Sequence, residues 1–392
     1  MQIEAERHRE LVPGADPSTD AARASRLLEA LLADAAAAQA SHLHFEPAAS
    51  GVQVLFRTSG RVQAQRLLGR EDGAALLRGI ALSADLPAVP LLPQRGELRW
   101  GREVLTLSVL PLRDGLRMVL QRALHPAEHR ALEGLGMRAA LAHDLRAVLA
   151  GHGLVLVAAP AGHGRSTTLR ALLEQATSRS RPGLAVGSGA QLEMPGVSWA
   201  DASPVAPAES LRAGIDQDLD VLMLDSIEDR AAAAAAVQAA QAGRLVLAGV
   251  DAANAVAAIQ QMRTWRVEAF HLATALSLVL AQRLVRRLCP ECREPVQATG
   301  SVSALLGFDP GAIVYAPAGC PACGHSGFAG QIGVFESIRG DATIRRLVND
   351  GGDAAILARH AFIGAPNLGS AARTLARTGV TTPDEAVRIS RG

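Results

Sequence analysis

Leu154-Val-Leu-Val-Ala-Ala-Pro-Ala-Gly-His-Gly-Arg-Ser-Thr-Thr168 is the stretch on which the fold turns. Leu154–Ala158 is apolar throughout and suits a buried strand. Ser166–Ala176 reads as a helix. Between them, Gly162 and Gly164 let the backbone curl so that its N–H groups face phosphate oxygens. The helix N-terminus adds partial positive charge at the same point. Strand, glycine turn and helix in this order form the context of a P-loop, G-x-x-x-x-G-K-[ST]. Gly162, His163, Gly164, Arg165, Ser166 and Thr167 are the candidate nucleotide-binding residues, with Ser166 placed to ligand Mg²⁺ beside ATP. Two positions depart from the pattern: Ala159 stands at the first Gly and Arg165 at the Lys. Arginine keeps the charge but not the compact ammonium geometry. An ordinary strand–turn–helix explains the glycines, but the spacing and the Ser-Thr-Thr favour the P-loop.

Outward from this stretch, Asp220–Asp225 and Arg244–Val250 are further buried-strand candidates, separated by an Ala-rich helix over Ala231–Ala242. This alternation predicts an α/β domain with a mainly parallel sheet flanked by helices. Phe270–Leu288 is predicted as one long helix leading into a cysteine region. Upstream, Leu27, Leu28, Leu31 and Leu32 mark a helix over Ala21–Ala40. Strand-like runs cover residues 52–57, 103–110 and 116–121, with a helix over Glu71–Ser83 and a turn-rich stretch at Leu86–Gly96. The predicted organisation is a flexible leader (1–20), a small α+β domain (21–124), a linker or helix region (125–151) and a nucleotide domain (152–392). The last includes a cysteine subdomain (289–330) and a helical C-terminal part (340–392).

Of the 392 residues, 49% are hydrophobic and 20% charged, enough for a sizeable core and too apolar for global disorder. A net charge of +1 argues against a polyanion-coating, nucleic-acid-binding protein. All 39 basic residues are arginine, so no lysine can touch a phosphate. The longest apolar run, Leu272–Val285, is interrupted by Ser277, Gln282 and Arg283 and is too short to span a bilayer. Without a signal-like N-terminus, a cytoplasmic chain is expected. Cys289-Pro-Glu-Cys292 and Cys320-Pro-Ala-Cys323 are two C-x-x-C knuckles separated by 27 residues. Together they read as a closed Cys₄ site for structural Zn²⁺, with no coordination position left for chemistry. His325 nearby is not needed. His44 and Glu46 read as packing or interface residues, and Arg283, Arg286 and Arg287 as helix-capping or subunit-contact residues.

Several motifs together resemble the ATPase family that powers type II secretion and type IV pilus assembly (GspE/PulE/PilB-type). The P-loop is similar to that family's G-P-T-G-S-G-K-[ST]-T-T. Ala40-Ser-His-Leu-His-Phe-Glu-Pro47 resembles A-S-D-I-H-I-E-P, Phe56-Arg-Thr-Ser-Gly60 resembles F-R-I-D-G, and Leu92-Pro-Gln-Arg-Gly96 resembles L-P-Q-D-G. Ala281-Gln-Arg-Leu-Val-Arg-Arg-Leu-Cys-Pro290 is close to A-Q-R-L-V-R-R-L-C-P, and Gly319–Glu336 resembles the second zinc half and the segment directly after it. The resemblance implies a RecA-like P-loop ATPase domain behind a small α+β domain. It also implies a homo- or hetero-oligomeric, hexameric ring that is peripheral to the inner membrane through a platform protein. The large N-terminal module with which many members dock is expected to be absent.

Departures cluster at the implied nucleotide pocket. Where the family's Walker B reads D-P-D-V-I-M-V-G-E-I-R-D, this chain has Asp218-Leu-Asp-Val-Leu-Met-Leu-Asp-Ser-Ile-Glu-Asp229. That places Ser226 at the Glu that positions water and Glu228 at the Arg. The acidic E-D-P segment aligns with Gly187-Ser-Gly189. The histidine box is Leu245-Val-Leu-Ala-Gly-Val-Asp-Ala-Ala-Asn-Ala255, with Asp251 at its His. Leu91 and Gln121 stand where the family carries arginines. Asp225, ending its strand, fits either a Mg²⁺-holding carboxylate or an N-cap or surface turn residue. A neutral serine cannot polarise water as a carboxylate does, and general-base help is worth about 10²–10⁴-fold. The expectation at this level is a degenerate family member with no or very weak ATP hydrolysis and no intact catalytic residue, acting beside a paralogous active ATPase. The alternatives are an active motor with compensating residues and a nucleotide-binding switch with negligible turnover.

Overall fold

The computed structural model describes residues 17–101, 103–122, 131–187, 194–200 and 206–391. They form two compact units, one on either side of residue 125. Most of the expected leader lies outside the described residues, but a helix already begins at Pro17. Ser188 and Gly189 of the expected acidic segment lie outside them as well.

The first unit contains α1 (Pro17–Ala37), β1 (His42–Ala48), β2 (Gly51–Thr58), β3 (Arg61–Gly69), α2 (Arg70–Ser83), β4 (Gln94–Trp100), β5 (Glu103–Leu112) and β6 (Gly115–Arg122). The six strands make one antiparallel sheet in the order β3-β2-β1-β6-β5-β4. Its core is built by alternation. Val52, Val54 and Phe56 of β2 point inward, as do Leu105, Leu107 and Val109 of β5. They meet Leu28, Leu31, Leu32 and Ala35 from α1 and Leu76 and Ile80 from α2. An antiparallel sheet with one covered face has this inside–outside pattern.

The second unit runs α3 (Ala139–Leu149), β7 (Gly153–Ala158), α4 (Arg165–Ala176), β8 (Gly183–Val186), β9 (Val197–Ala200), α5 (Pro207–Asp216), β10 (Val221–Ile227), α6 (Arg230–Gln241), β11 (Leu245–Val250) and α7 (Ala255–Thr264). It continues with α8 (Ala269–Ala275), β12 (Leu276–Leu288), β13 (Arg293–Gln297), α9 (Gly300–Leu306), β14 (Ile313–Pro317) and β15 (Phe328–Arg339). It ends with α10 (Ala342–Asn349), α11 (Ala354–Ala361), α12 (Leu368–Arg377) and α13 (Pro383–Arg391). Seven strands form a sheet in the order β15-β12-β7-β11-β10-β8-β9, parallel throughout except for β12 against β15. Helices cover both faces, and every residue of β7 and β11 is buried. That is the signature of a parallel strand enclosed on both sides.

The structure corrects one of the helix expectations. Phe270–Leu288 is not one helix: the helix ends at Ala275 and Leu276–Leu288 is a 13-residue strand. It pairs with β7 on one side and β15 on the other. Leu276, Leu278, Val279, Leu280 and Ala281 are all buried. A strand covered on both faces shows a nearly continuous apolar run, which periodicity alone does not separate from a buried helix. In the segment read as a linker or helix region, residues 131–149 carry a short 3₁₀ turn and α3. Leu132, Leu135, Leu141, Leu145 and Leu149 pack against Val155, Val157, Leu245 and Leu247 and complete the core on that face.

Candidate functional site

The P-loop joins the C-terminal end of β7 to α4, at the edge of the parallel sheet where ligands bind in open α/β folds. Gly162 and Gly164 have φ of +76° and +80°, a left-handed backbone that suits glycine, and Gly164 is the residue that opens α4. The His163 N–H donates to the Pro160 carbonyl at 3.2 Å, closing the turn. The loop and the first turn of α4 carry the sequence-predicted residues Gly162 to Thr167. The His163 ring, however, packs against β12, where its Nδ1 accepts the Leu284 N–H at 3.0 Å.

Beside the loop, β10 and β11 lose register between Leu224 and Ile227. One extra residue bulges out there, so Asp225 and Ser226 leave the regular ladder; bulges of this kind re-aim side chains beside functional sites. Gly249 of β11 faces the bulge. A Cβ there would lie 2.1 Å from the Asp225 carbonyl oxygen, and 2.9 Å and 3.0 Å from Nε and Cδ of Arg165. The Arg165 side chain thus lies over Gly249, and its Nε is buried without a hydrogen-bond partner among the described residues. Asp225 is half-buried, and a Cβ on Gly187 at the end of β8 would lie 2.8 Å from its Cβ. It sits near Arg170, whose guanidinium is depressed by desolvation and partly restored by the Asp225 charge. Asp225 is not the cap of α6: Asp229 caps it by accepting the Ala232 N–H at 2.8 Å.

Asp251, just past β11, and Glu228, just past β10, are both exposed. The neighbouring start of α7 is fixed by Asn254, which caps it, and by Glu336 of β15. Glu336 is 4% exposed and accepts the N–H groups of Ala255 and Leu368, each at 2.8 Å, anchoring α7 and α12 at once. Desolvation raises its pKa, against the pull of those two donors and of Arg283. Arg283, Arg286 and Arg287 lie on a strand rather than a helix. Arg283 donates to the Ala253 carbonyl and Arg286 to the Glu385 carboxylate. Residue-by-residue reading missed Glu336 and Gln282, because their partners lie on distant elements.

The four cysteines converge. Their Sγ atoms all lie within 4.8 Å of one another, with close pairs Cys289–Cys320 at 3.9 Å, Cys292–Cys323 at 3.8 Å and Cys320–Cys323 at 3.8 Å. A tetrahedron with arms of about 2.3 Å has edges of roughly 3.8 Å, so the sulfurs are spaced to hold a metal ion. They are far too distant for disulfides, which need about 2.05 Å. The 27 residues between the knuckles are taken up by the β13–β14 ribbon and α9. Backbone N–H groups of Cys320 and Gly327 point at Cys323 Sγ, lowering its pKa to about 6 and favouring the thiolate. Desolvation pushes Cys292 up to about 12, a cost that a bound cation offsets.

In the first unit, His44 is 8% exposed and stacks on His42, with neither ring nitrogen hydrogen-bonded. Desolvation holds His42 down at about 4. Glu46 pairs with Arg117 at 2.6 Å. Leu91 and Gln121 are exposed. The buried arginine there is Arg122, which grips Glu103 with two hydrogen bonds of 2.7 and 3.0 Å and donates to the Ala35 and Ala40 carbonyls at the end of α1.

With this geometry in place, residues 17–388 match the family described as type II/IV secretion system protein. The chain is 35% identical over 380 residues to the type II secretion system protein E of Pseudomonas aeruginosa, spanning 93% of this chain and 75% of that one. It is 31% identical over 387 residues to the type II secretion system ATPase E of Vibrio cholerae, spanning 95% and 76%. The solved ATPase DotB of Legionella pneumophila superposes with a TM-score of 0.66 at 14% identity over 94% of this chain and 96% of that one, a likeness of fold alone. Likeness over nearly the whole chain to a secretion-system ATPase overturns the expectation of a chain with no or very weak ATPase activity, and it favours the active-motor alternative over the degenerate reading built on Arg165, Ser226 and Asp251.

Proposed function

Because this chain belongs to the type II/IV secretion system protein family, we propose that it is a working motor that hydrolyses Mg-ATP for protein secretion or pilus assembly. The backbone N–H groups of Gly162 and of residues 164–167, at the α4 N-terminus, cradle the phosphates. Arg165 supplies the charge that a lysine supplies in the usual P-loop. Ser166 and Asp225 hold Mg²⁺. Asp251 or Glu228, both exposed at the same strand ends, provides the carboxylate that Ser226 lacks. The observation that carries this reading is the buried, unpartnered Arg165 Nε over Gly249, opposite the bulge that bears Asp225. A cation and a carboxylate are built beside one glycine-turned loop, and the Gly249 site is shaped around the larger arginine.

The test is single-turnover Mg-ATP hydrolysis by metal-loaded, assembled protein with enzyme in excess. The native chain is expected to turn over, and Arg165→Ala to lose at least about 100-fold by removing charge stabilisation at the phosphates. No hydrolysis above that control would overturn the motor reading.

We further assign the Cys₄ cluster to structural Zn²⁺, supported by the thiolate-only donor set and the tetrahedral spacing. Cys323→Ser is expected to abolish stoichiometric zinc, measured by elemental mass spectrometry, and to lower the melting temperature by about 5 °C or more. Full zinc content in that variant would refute the assignment. The ring, its platform-protein contact and a peripheral site at the cytoplasmic face of the inner membrane are part of the same proposal. Among the described residues no helix is long and apolar enough to cross a membrane, which fits docking through a partner.

A further inference from the structure

β12 is longer than the strand it pairs with. Its parallel partner β7 ends at Ala158, which lies opposite Ala281. From Gln282 onward, β12 therefore runs beside the P-loop with no strand on that side. Backbone and side-chain donors left there need other acceptors, since a buried N–H without a partner is costly. Both acceptors come from one residue. The Gln282 side chain, 2% exposed, donates from Nε2 to the His163 carbonyl at 2.7 Å. The Leu284 N–H donates to His163 Nδ1 at 3.0 Å. The contact is close on both sides: a Cβ on Gly164 would lie 3.2 Å from Gln282 Nε2 and 3.5 Å from Leu284 Cδ1.

We infer that His163 is a positioning residue that pins the phosphate-binding loop to β12 and holds it in its ligand-ready curl. This rests on the ATP-hydrolysis reading given above and deepens it. The His163 ring is engaged with β12. It acts through the backbone N–H groups on either side of it, which point correctly only while the loop is held. The pin requires the neutral imidazole. Nδ1 can accept from Leu284 only when unprotonated, and an imidazolium would set two donors against each other. Three surroundings keep the ring neutral: burial first, then the positive charges of Arg283 on β12 and Arg388 on α13. All three lower its pKa below 6.5, so the pin holds at neutral pH and fails only as pH falls through that lowered value.

The test compares His163→Ala, which removes the acceptor, with His163→Asn, whose Oδ1 occupies nearly the same place and does not titrate. Three quantities are read on zinc-loaded protein: exchange of the Leu284 amide, the Kd for Mg-ATP, and kcat. His163→Ala is expected to speed Leu284 exchange and raise the Kd and KM about tenfold, with kcat changed less than about twofold. His163→Asn is expected to bind like the native chain at pH 8 and to keep that affinity on acidification, where the native chain loses more. Unchanged Leu284 exchange in His163→Ala would overturn the pin without touching the motor reading. Unchanged affinity in His163→Ala, or an acid profile of His163→Asn as steep as the native one, would do the same. A native chain that binds no Mg-ATP, with Leu284 protected by His163, would instead sink the motor reading and with it the loop's assigned purpose.

Discussion

Gly249→Val is expected to cut Mg-ATP turnover by about 10²–10³-fold while leaving the chain folded. The cause is steric and local. The first added carbon would sit 2.1 Å from the Asp225 carbonyl oxygen, a distance that real contacts do not allow. It would also press on Arg165 at Nε and Cδ. An arginine arm can swing aside, but a backbone carbonyl moves only with its strand. The β10 bulge must therefore shift, and Asp225 and Arg165 are displaced together. Overpacking typically costs about 1–3 kcal/mol, which a sheet this well buried can absorb without unfolding. A displacement of about 1 Å at reacting groups costs about 10²-fold in rate. The checks are the single-turnover rate and a melting curve for the same sample. Native turnover in Gly249→Val would show that neither the bulge nor the seat of Arg165 matters for hydrolysis. Adding Arg165→Lys to Gly249→Val relieves one collision and not the other, so any recovery reports how much of the loss passes through the arginine.

Asp225→Asn is the second large effect. Asparagine keeps the size of the side chain and removes its charge, so the bulge and its contact with Gly187 are preserved. If Asp225 helps hold Mg²⁺ with Ser166, the Mg²⁺ concentration for half-maximal turnover rises at least about tenfold, and the rate at saturating Mg²⁺ falls by about 10²-fold or more. Metal-free nucleotide binding changes little, since the loop N–H groups and Arg165 are untouched. A Mg²⁺ titration of turnover decides it. An unaltered Mg²⁺ requirement would move the metal-holding role away from Asp225, with Asp251 and Glu228 the next residues to replace.

The extent to which the site was legible depends on where its determinants lie along the chain. Leu154–Ala158 and the glycine turn were readable because strand, loop and helix are contiguous, and φ-positive glycines announce the curl before any partner is known. The same holds for the cysteines, whose C-x-x-C spacing states local turn geometry. Asp225 was ambiguous because a strand-ending aspartate serves equally as a cap. The structure removes one reading, since Asp229 is the residue that caps α6. Ser226 and Asp251 invite the inference of lost activity because they fall, with other departures, around one implied pocket. Likeness to a secretion-system ATPase over nearly the whole chain overturns it.

The amino-acid sequence by itself determined the α/β class, the P-loop, the cysteine knuckles and the family resemblance, because each is carried by short contiguous motifs, single or in series. The tertiary structure decided the rest. It made Leu276–Leu288 a strand, since β7 and β15 supply the hydrogen bonds that a helix would have found within itself. It turned the His163 ring onto β12, set Gly249 against the Asp225 bulge, and spent Glu336 on two helix starts. Each of these joins residues far apart in sequence whose pairing depends on which elements come to lie side by side, and that is settled by burial and backbone hydrogen bonding across the whole sheet.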